Sequence, residues 1–348
     1  MLTHDINAGF NMTKDEWLEM SSQLPRDTQG IRTVSLWFAD LAILGAAWRL
    51  WIAAPLIAKP LAWMLAMVAL IQLYLIMHEA IHTSVCRHRL PNDAIGHFCG
   101  WVIGLPFLPR RRSHLAHHAW TAHPIRDPEN KGMIEKFSVM SEKEAGKLEF
   151  AWRHWIPMMA FNHFIRHWLL SFERKRNGPR SMQSKRERRF ASLYLVGYLS
   201  VYLLAVMHHV ALNLILFAAP LWIAMLIAIE LLNLPHHAEI PLLPVDAQRP
   251  PLWEQDVVSH SCGSLPVWST YIILNFNLHV AHHAFPWLSW HQLGRAQDLL
   301  AAHDRSTRQM NEWSFSLINR RRPLLHLMGH YFDKRHGADT TNVSNNSV

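Results

Sequence analysis

Three long apolar runs constrain the fold of this chain more than any other feature of its sequence. Residues 34–57 carry only Asp40 and Arg49 as charges, residues 61–77 carry none, and each run is near the ~20 residues that a membrane-spanning helix needs. Residues 191–232 form a longer apolar run that has room for two passes. We therefore predict an all-α membrane protein with about four transmembrane helices arranged as two hairpins.

The composition agrees with a membrane location and argues against nucleic-acid binding. Half of the 348 residues are hydrophobic, only 17% are charged, and the chain contains 16 Trp, a residue that gathers at bilayer interfaces. The net charge of +8 comes from basic residues that flank the apolar runs, and no nucleic-acid-binding motif accompanies them. We therefore expect an integral protein of the inner (cytoplasmic) membrane without a nucleic-acid partner.

Shorter apolar and amphipathic segments divide the rest of the chain. Residues 98–109 are apolar but too short to span a bilayer, so we predict a re-entrant or interfacial segment. Residues 142–189 mix aromatic and basic side chains, which predicts a helix in the headgroup region, with a solvated loop as the alternative. We expect a cytosolic segment at 1–33, one membrane-embedded catalytic domain with a histidine-rich cytosolic cap at 34–336, and a disordered tail at 337–348.

Histidine is the residue type that carries the chemistry of this sequence. Of the 25 histidines, eight fall into three clusters whose i, i+3 or i+4 spacing aligns imidazoles on one face of a helix. The clusters are His78 and His82; His114, His117 and His118; and His279, His282 and His283. Neutral imidazole is the commonest side-chain ligand of Fe, Zn and Cu, and this number exceeds the needs of one four-coordinate site. The count therefore predicts two metal ions.

The predicted topology places the three clusters on one side of the membrane. The first hairpin returns the chain to the side of its N-terminus before His78, and the second does so before residue 235. Arg110, Arg111 and Arg112 directly precede the second cluster, and such a basic run marks the cytoplasmic side. We therefore expect the clusters to meet at the cytoplasmic face, and the scattered histidines to be interfacial or hydrogen-bonding residues.

Two other functional classes compete with an oxidative metal centre. The segment His78-Glu79-Ala80-Ile81-His82 also fits the His-Glu-x-x-His pattern of zinc peptidases, in which Glu79 would be the general base of a membrane metalloprotease. That interpretation leaves the second and third clusters without a role. A metal transporter or sensor would require ionisable residues within the spans, where Asp40, Arg49 and Glu230 are few and scattered.

The order of the clusters resembles that of the integral-membrane fatty acid desaturase and hydroxylase superfamily. The first reads His-x-x-x-His, the second His-x-x-His-His, and the third Asn-x-x-His-x-x-His-His followed by Phe-Pro. The similarity covers roughly residues 73–293, most of the chain. Further matching residues are Asn92 and Gly96 after the first cluster, Asp127, Pro128 and Glu129 after the second, and Pro286, Trp287 and Trp290 after the third.

This resemblance implies a mushroom-shaped, four-helix membrane stem with a cytosolic cap and a non-haem di-iron centre that activates O₂. The eight clustered histidines would then be iron ligands. Acyl-CoA desaturases of the superfamily also use a further histidine, four residues after an asparagine that reaches a metal through water. Asn233 and His237 stand at that spacing here, and the adjacent His236 is the alternative.

The reaction that the resemblance implies is desaturation of an acyl chain, with hydroxylation or ketolation of a lipid, alkane or carotenoid as the alternative. An unactivated C–H bond offers no proton to remove, so side-chain acid–base groups alone cannot break it. Three acidic residues near the clusters, Glu79, Asp127 and Glu129, fit acceptors for imidazole N–H groups, and helix caps or surface charges are the alternative.

The electrons for such a reaction have to come from an external donor. The sequence carries no flavin, haem or iron–sulfur motif, so we expect a partner of ferredoxin, rubredoxin or cytochrome b5 type. Basic residues at 110–112 and 174–189 form a candidate docking surface for an acidic donor.

Overall fold

The computed structural model describes residues 12–27, 30–173, 182–238, 240–255, 258–262, 267–303, 309–310 and 320–327. The tail predicted at 337–348 lies outside these residues. The described helices are α1 (Lys14–Ser22), α2 (Ile31–Ala53), α3 (Lys59–His82), α4 (Arg89–Ile103), α5 (Phe107–Trp120), α6 (Pro128–Ser138), α7 (Glu142–Arg153), α8 (Met158–Phe172), α9 (Met182–Met207), α10 (Ala211–His237), α11 (Val267–Ile273), α12 (His279–Ala284), α13 (Leu293–Ala302) and α14 (Leu324–Leu327). Two strands of two residues, β1 (Ser261–Cys262) and β2 (Gln309–Met310), pair in parallel.

Four of the described helices, α2, α3, α9 and α10, are long and apolar enough to cross a bilayer. They form the two predicted hairpins, joined through a short turn at Leu56–Ala58 and through His209, which has a φ of 57°. Large apolar side chains of α9 stay exposed, among them Leu199 at 57%, as expected for helices that face lipid. The predicted all-α membrane fold is confirmed.

Helices α4 and α5 form a hairpin that reaches the spanning helices. Its turn is at Gly104, whose φ of 86° is strained for other residues. The indole of Trp222 in α10 donates to the Ile103 carbonyl over 3.1 Å, and that of Trp168 in α8 donates to the Gly104 carbonyl over 2.9 Å. These bonds satisfy carbonyls at the end of α4, and the segment predicted at 98–109 forms the turn between α4 and α5, whose depth in the bilayer stays a prediction.

The segment predicted at 142–189 as one interfacial helix is divided differently in the structure. Helices α7 and α8 occupy its first part, and the basic residues Lys185, Arg186, Arg188 and Arg189 lie in the first turns of α9. The physical reason is that α9 runs from the basic segment into the apolar run as one unbroken helix. The basic residues therefore form the start of the third spanning helix, where Lys and Arg are favoured at the headgroup level.

The N-terminal helix α1 packs against the third histidine cluster. The Trp17 indole donates to the carbonyl of Ala284 over 3.0 Å and stacks on Phe285 with 6.0 Å between ring centroids. Met12 and Met20 are buried in the same apolar group as Val280. Residues before the first span therefore support the helix that carries His279, His282 and His283.

Candidate metal centre

The predicted histidine clusters come from three helices that end or begin at the same level of the fold. The first cluster occupies the last two turns of α3, the second lies in α5, and the third forms most of α12. His237 is the last residue of α10. The two hairpins therefore deliver their C-terminal ends to a single region, where the imidazoles meet.

Five imidazoles form the first group, each with a candidate ligand nitrogen within 4.8 Å of the others. Its members are His78, His82, His114, His118 and His282. The Nε2 atoms follow one another at 3.0 Å from His82 to His114, 3.1 Å from His114 to His118 and 3.1 Å from His118 to His282. Protons cannot bridge all of these contacts at once, because each neutral ring carries only one N–H. Converging nitrogen lone pairs of this kind are typical of metal ligands.

Three further imidazoles, those of His117, His237 and His283, form a second group under the same 4.8 Å limit. The Nε2 atoms of His117 and His237 are 3.2 Å apart. His279 lies at the edge of this group, with its Nε2 3.0 Å from that of His237 and 3.0 Å from that of His283. All eight clustered histidines and His237 are thus brought together, and their assignment as ligands stays a prediction.

Hydrogen bonds at Nδ1 orient all three rings of the second group. Nδ1 of His117 lies 3.0 Å from Oδ2 of Asp127, and Nδ1 of His283 lies 3.0 Å from Oε1 of Gln255. Nδ1 of His237 faces the Val258 carbonyl at 3.4 Å. Because an oxygen acceptor requires a proton on Nδ1, the neutral form of each ring has its lone pair on Nε2. Gln255 lies far from every cluster in sequence, and no spacing pattern indicated it.

The electrostatics of the site favour a bound cation. Burial lowers the pKa of His282 and of His237 to about 3, so both rings are neutral and able to donate a lone pair. Burial opposes protonation of His117 as well, but the carboxylates of Asp127 and Glu129 outweigh it and raise the pKa of His117 to about 9. A metal at Nε2 of His117 would take the place of that proton. The residues therefore fit metal ions, and an all-imidazole donor set suits Zn, Cu, Fe or Ni.

The three acidic residues of the prediction have different roles in the structure. Asp127 accepts from His117 and also from the backbone N–H of Ala122 and Glu129, at 3.2 and 2.9 Å, so its carboxylate is held in place. Glu129 forms an ion pair of 2.8 Å with Arg110. Of the acidic residues proposed as imidazole partners, Asp127 therefore has the expected geometry.

Glu79 contacts polar groups other than imidazoles. Its Oε2 accepts from the Ser84 hydroxyl and from the backbone N–H of Trp290, each over 2.9 Å. This arrangement ties the end of α3 to the segment after the third cluster. One oxygen of the carboxylate that a zinc peptidase would need as general base is therefore occupied by these two structural hydrogen bonds.

The final turn of α10 directs His237, rather than His236, toward the other imidazoles, and which of the two is a metal ligand stays a prediction. His237 directs Nε2 toward His117 and His279, whereas both ring nitrogens of His236 are buried without a hydrogen-bond partner. The His236 ring stacks on His279 with 4.1 Å between centroids. Asn233 donates its amide to the Ile229 carbonyl over 2.8 Å and to the Tyr74 hydroxyl over 3.4 Å, which leaves its Oδ1 as the remaining acceptor.

The arginines before the second cluster lie inside α5, and each is paired with an acidic side chain. Arg112 is nevertheless 44% exposed, so their part in docking a donor stays a prediction. Arg110 is 4% exposed and bound to Glu129. Arg111 pairs with Asp93 at 2.5 Å, and Arg112 pairs with the buried Glu187 at 3.2 Å. Their partners come from α4, α6 and α9. A charge pattern read along a short stretch of sequence cannot predict ion pairs between such distant residues.

Asn92 and Gly96, noted above for their place after the first cluster, have structural roles. The Asn92 side chain accepts from the backbone N–H of Val85 and Cys86, at 3.0 and 3.2 Å, and donates to the carbonyl of His88 over 2.7 Å. It therefore fixes the turn that follows α3. Gly96 lies against the Phe107 ring, which leaves no room for a Cβ and lets α4 and α5 approach.

A cavity of about 670 Å³ lies beside the histidines and is enclosed by α5, α6, α7, α8 and α10. His114, His117, His237 and His279 line one end of it. Apolar side chains from α6, α7, α8 and α10 line its walls, among them Phe137, Leu148, Met159, Ile229 and Leu234. Its volume lies in the range of small-molecule sites, roughly 300–1,000 Å³.

Comparison with known proteins identifies relatives that match most of the chain. The model of the family described as fatty acid desaturase matches residues 57–312. An sn-1 oleoyl-lipid 12-desaturase of Arthrospira platensis is 24% identical over 271 residues, which cover 73% of this chain and 71% of that protein. A chloroplastic omega-6 fatty acid desaturase of Arabidopsis thaliana is 21% identical over 76% of this chain and 58% of its own length. The corresponding protein of Brassica napus is 21% identical over 86% of this chain and 67% of its own length.

Proposed function

Because the chain belongs to the fatty acid desaturase family and is an oxidoreductase, we propose that it introduces a C=C bond into the acyl chain of a membrane lipid. In this reaction two hydrogens leave adjacent carbons, and these, with two electrons from an external donor and two protons, reduce O₂ to two molecules of water. The observation that carries the proposal is the cavity, which joins apolar walls to the imidazoles of His117, His237 and His279. Such a cavity places an unreactive hydrocarbon segment beside an oxidative metal site and excludes water from it.

The proposed cofactor is a pair of non-haem irons held by the two imidazole groups. When bound, the irons supply the activation of O₂ that C–H cleavage requires. His78, His82, His114, His118 and His282 would hold one iron, and His117, His237, His279 and His283 the other. Asp127, Gln255 and the Val258 carbonyl keep three of these rings in the tautomer that presents Nε2.

The proposed location is the inner (cytoplasmic) membrane with the histidines on the cytoplasmic side. The basic residues at the start of α9 support this orientation, because Lys and Arg are enriched on that side. An external donor of ferredoxin, rubredoxin or cytochrome b5 type would then reach the site from the cytoplasm.

Mass spectrometry of lipids tests this proposal directly. Extracts from cells with and without the protein are compared, and cells that express His282→Ala serve as the inactive control. We expect acyl chains that have lost two hydrogens only with the wild-type chain. Acyl chains that gain one oxygen would indicate hydroxylation instead, and unchanged lipids in cells supplied with a working donor would overturn the proposal.

A further inference from the structure

The cavity that is lined by the imidazoles is also lined by residues of α6 and α8. Gly132 and Lys136 line it from α6, and Ile165, Arg166 and Leu169 line it from α8. Leu169 is 67% exposed and Ile165 41% exposed, so the cavity opens to the outside between apolar side chains. We call this opening, with these five residues, the α6–α8 mouth.

The apolar surface continues from the mouth along α8. Phe161 and Phe172 are each 39% exposed and follow the helical spacing of Ile165 and Leu169, which gives one exposed apolar stripe. Helix α8 packs beside the spanning helix α10, because the rings of Phe164 and of Phe161, at the start of the stripe, lie 6.0 and 6.1 Å from that of Trp222. A helix packed on spanning helices with an exposed apolar stripe presents that stripe to lipid.

A cationic group crosses the mouth beside this stripe. Nη1 of Arg166 donates to the carbonyl of Pro128 over 2.8 Å, and the guanidinium lies directly over Gly132, where a Cβ would collide with it. In the part of the chain that the structure describes, Arg166 forms no ion pair with an acidic side chain. A guanidinium carries five N–H donors, so several remain for a ligand.

The local charge at the mouth is positive. Lys136 is exposed on the α6 side, one turn from Gly132. The neighbouring Glu135 also lines the cavity, but its carboxylate lies 3.7 Å from Lys131, which offsets its charge. Arg166 and Lys136 are therefore left to face an anion at the point where the apolar stripe meets the opening.

We propose that the α6–α8 mouth admits one acyl chain of a glycerophospholipid sideways from the bilayer, while Arg166 and Lys136 hold its phosphate. This inference rests on the proposed function and names the carrier of the acyl chain. The guanidinium gives a forked, charge-assisted pair of hydrogen bonds to phosphate oxygens, and the stripe on α8 keeps the lipid tails in an apolar setting. The substrate is then a membrane phospholipid and enters without passing through water.

A matched pair of glycine variants tests the role of Arg166. Gly132→Ala places a methyl group against the guanidinium and displaces it, whereas Gly146→Ala on α7 meets open space. Both replacements put alanine into a helix, which favours folding. With dioleoyl phosphatidylglycerol in nanodiscs as substrate, we expect Gly132→Ala and Arg166→Gln to raise KM about tenfold with little change in kcat, and Gly146→Ala to match the wild type.

A second lipid and a binding measurement make the outcome decisive. Dioleoylglycerol, which lacks the phosphate, should give the same KM with all variants. Equal KM values for phosphatidylglycerol in Arg166→Gln and the wild type would overturn the inference while leaving desaturation intact. Binding of fluorescent phosphatidylglycerol to the purified protein needs no turnover, and it should weaken in the same two variants even if the proposed reaction fails. Unlabelled competitors can be added to the same assay. If free oleate or oleoyl-CoA displaces the fluorescent lipid better than unlabelled phosphatidylglycerol does, the inference is also overturned.

Discussion

The imidazole of His117 in α5 and the carboxylate of Asp127, directly before α6, face each other, with Nδ1 3.1 and 3.0 Å from the two carboxylate oxygens. Asp127 is completely buried and receives further hydrogen bonds from Ala122, Glu129 and Asn130. A carboxylate held so firmly orients the ring and increases the basicity of Nε2. The ring of His117 is therefore held in place by contacts within the protein alone.

Asp127→Asn should weaken metal binding in the second imidazole group. The replacement keeps the shape but removes the charge that supports His117, and loss of such a partner costs roughly 10–100-fold in affinity. The measurement is the iron content that remains after dialysis against a chelator of graded strength. Asp298→Asn, a change on the exposed side of α13, is the control and should retain its iron. Equal retention in both variants would remove Asp127 from the metal site.

His282→Ala should remove the metal of the first imidazole group and the activity with it. The wild-type protein is expected to hold about two irons per chain, because its imidazoles form two groups and the nitrogens of each group lie close enough together to share one ion. The variant should hold about one, with an activity loss larger than the roughly 10–100-fold expected for an outer hydrogen bond. Elemental analysis of purified protein checks both numbers. His208→Ala changes an exposed histidine at the far end of α9 and should leave both metals in place.

Much of the fold and of the centre could be predicted because the signals are local. The lengths of the apolar runs predict the two hairpins. The i, i+4 spacing of His78 and His82 places both on one face at the end of α3. The choice between His236 and His237 was open, since adjacent residues on one helical turn point in directions about 100° apart and only packing decides which faces the cluster.

What could not be predicted depends on contacts between distant parts of the chain. The partner of Glu79 is the backbone of Trp290, 211 residues later. Gln255, which orients His283, directly follows a single 3-10 turn at Leu252–Glu254, 24 residues before the third cluster. The arginines before the second cluster look like a topology signal in sequence, yet Arg110 is buried by its pairing with Glu129. Residues of this kind become visible only once the tertiary structure is known.

Arg320→Met should destabilise the wall of the cavity. Arg320 forms a 3.0 Å ion pair with Glu230, and both side chains are 3% exposed. Glu230 also accepts from the backbone N–H groups of Met159 and Ala160 at the start of α8. Removing the cation leaves a buried carboxylate without its counter-charge, which costs about 3–5 kcal/mol. A thermal melt in detergent should show a lower midpoint.

The double variant Glu230→Gln with Arg320→Met provides the control for that prediction. A neutral glutamine can still accept from the start of α8 but no longer needs a counter-charge, so part of the lost stability should return. A double variant that melts below Arg320→Met would contradict a charge-based explanation.

Glu79→Gln should retain most of the activity, whereas Glu79→Leu should not. One oxygen of Glu79 accepts both hydrogen bonds, from Ser84 and from Trp290, and the amide oxygen of glutamine can replace it. Leucine leaves the buried donors unpaired and releases the segment after the third cluster, at a cost of about 1–3 kcal/mol per donor. Donor-dependent desaturation of the two variants is the measurement. Loss of activity in Glu79→Gln would mean that the negative charge itself is required.

Electron delivery should depend on exposed basic residues at the start of α9, because the arginines of α5 are already paired within the protein. Lys185 and Arg189 are exposed there, so the variant Lys185→Glu with Arg189→Glu replaces two open positive charges with negative ones. Steering of an acidic donor raises association rates by about 10–10³-fold at low salt, and the effect fades as ions screen it. We expect turnover with ferredoxin to fall about tenfold at low ionic strength and to approach the wild-type rate at high ionic strength. Lys147→Glu on α7 is the control for general charge effects. A deficit that persists at every salt concentration would point to a folding defect, and an unchanged rate at low salt would place the donor elsewhere.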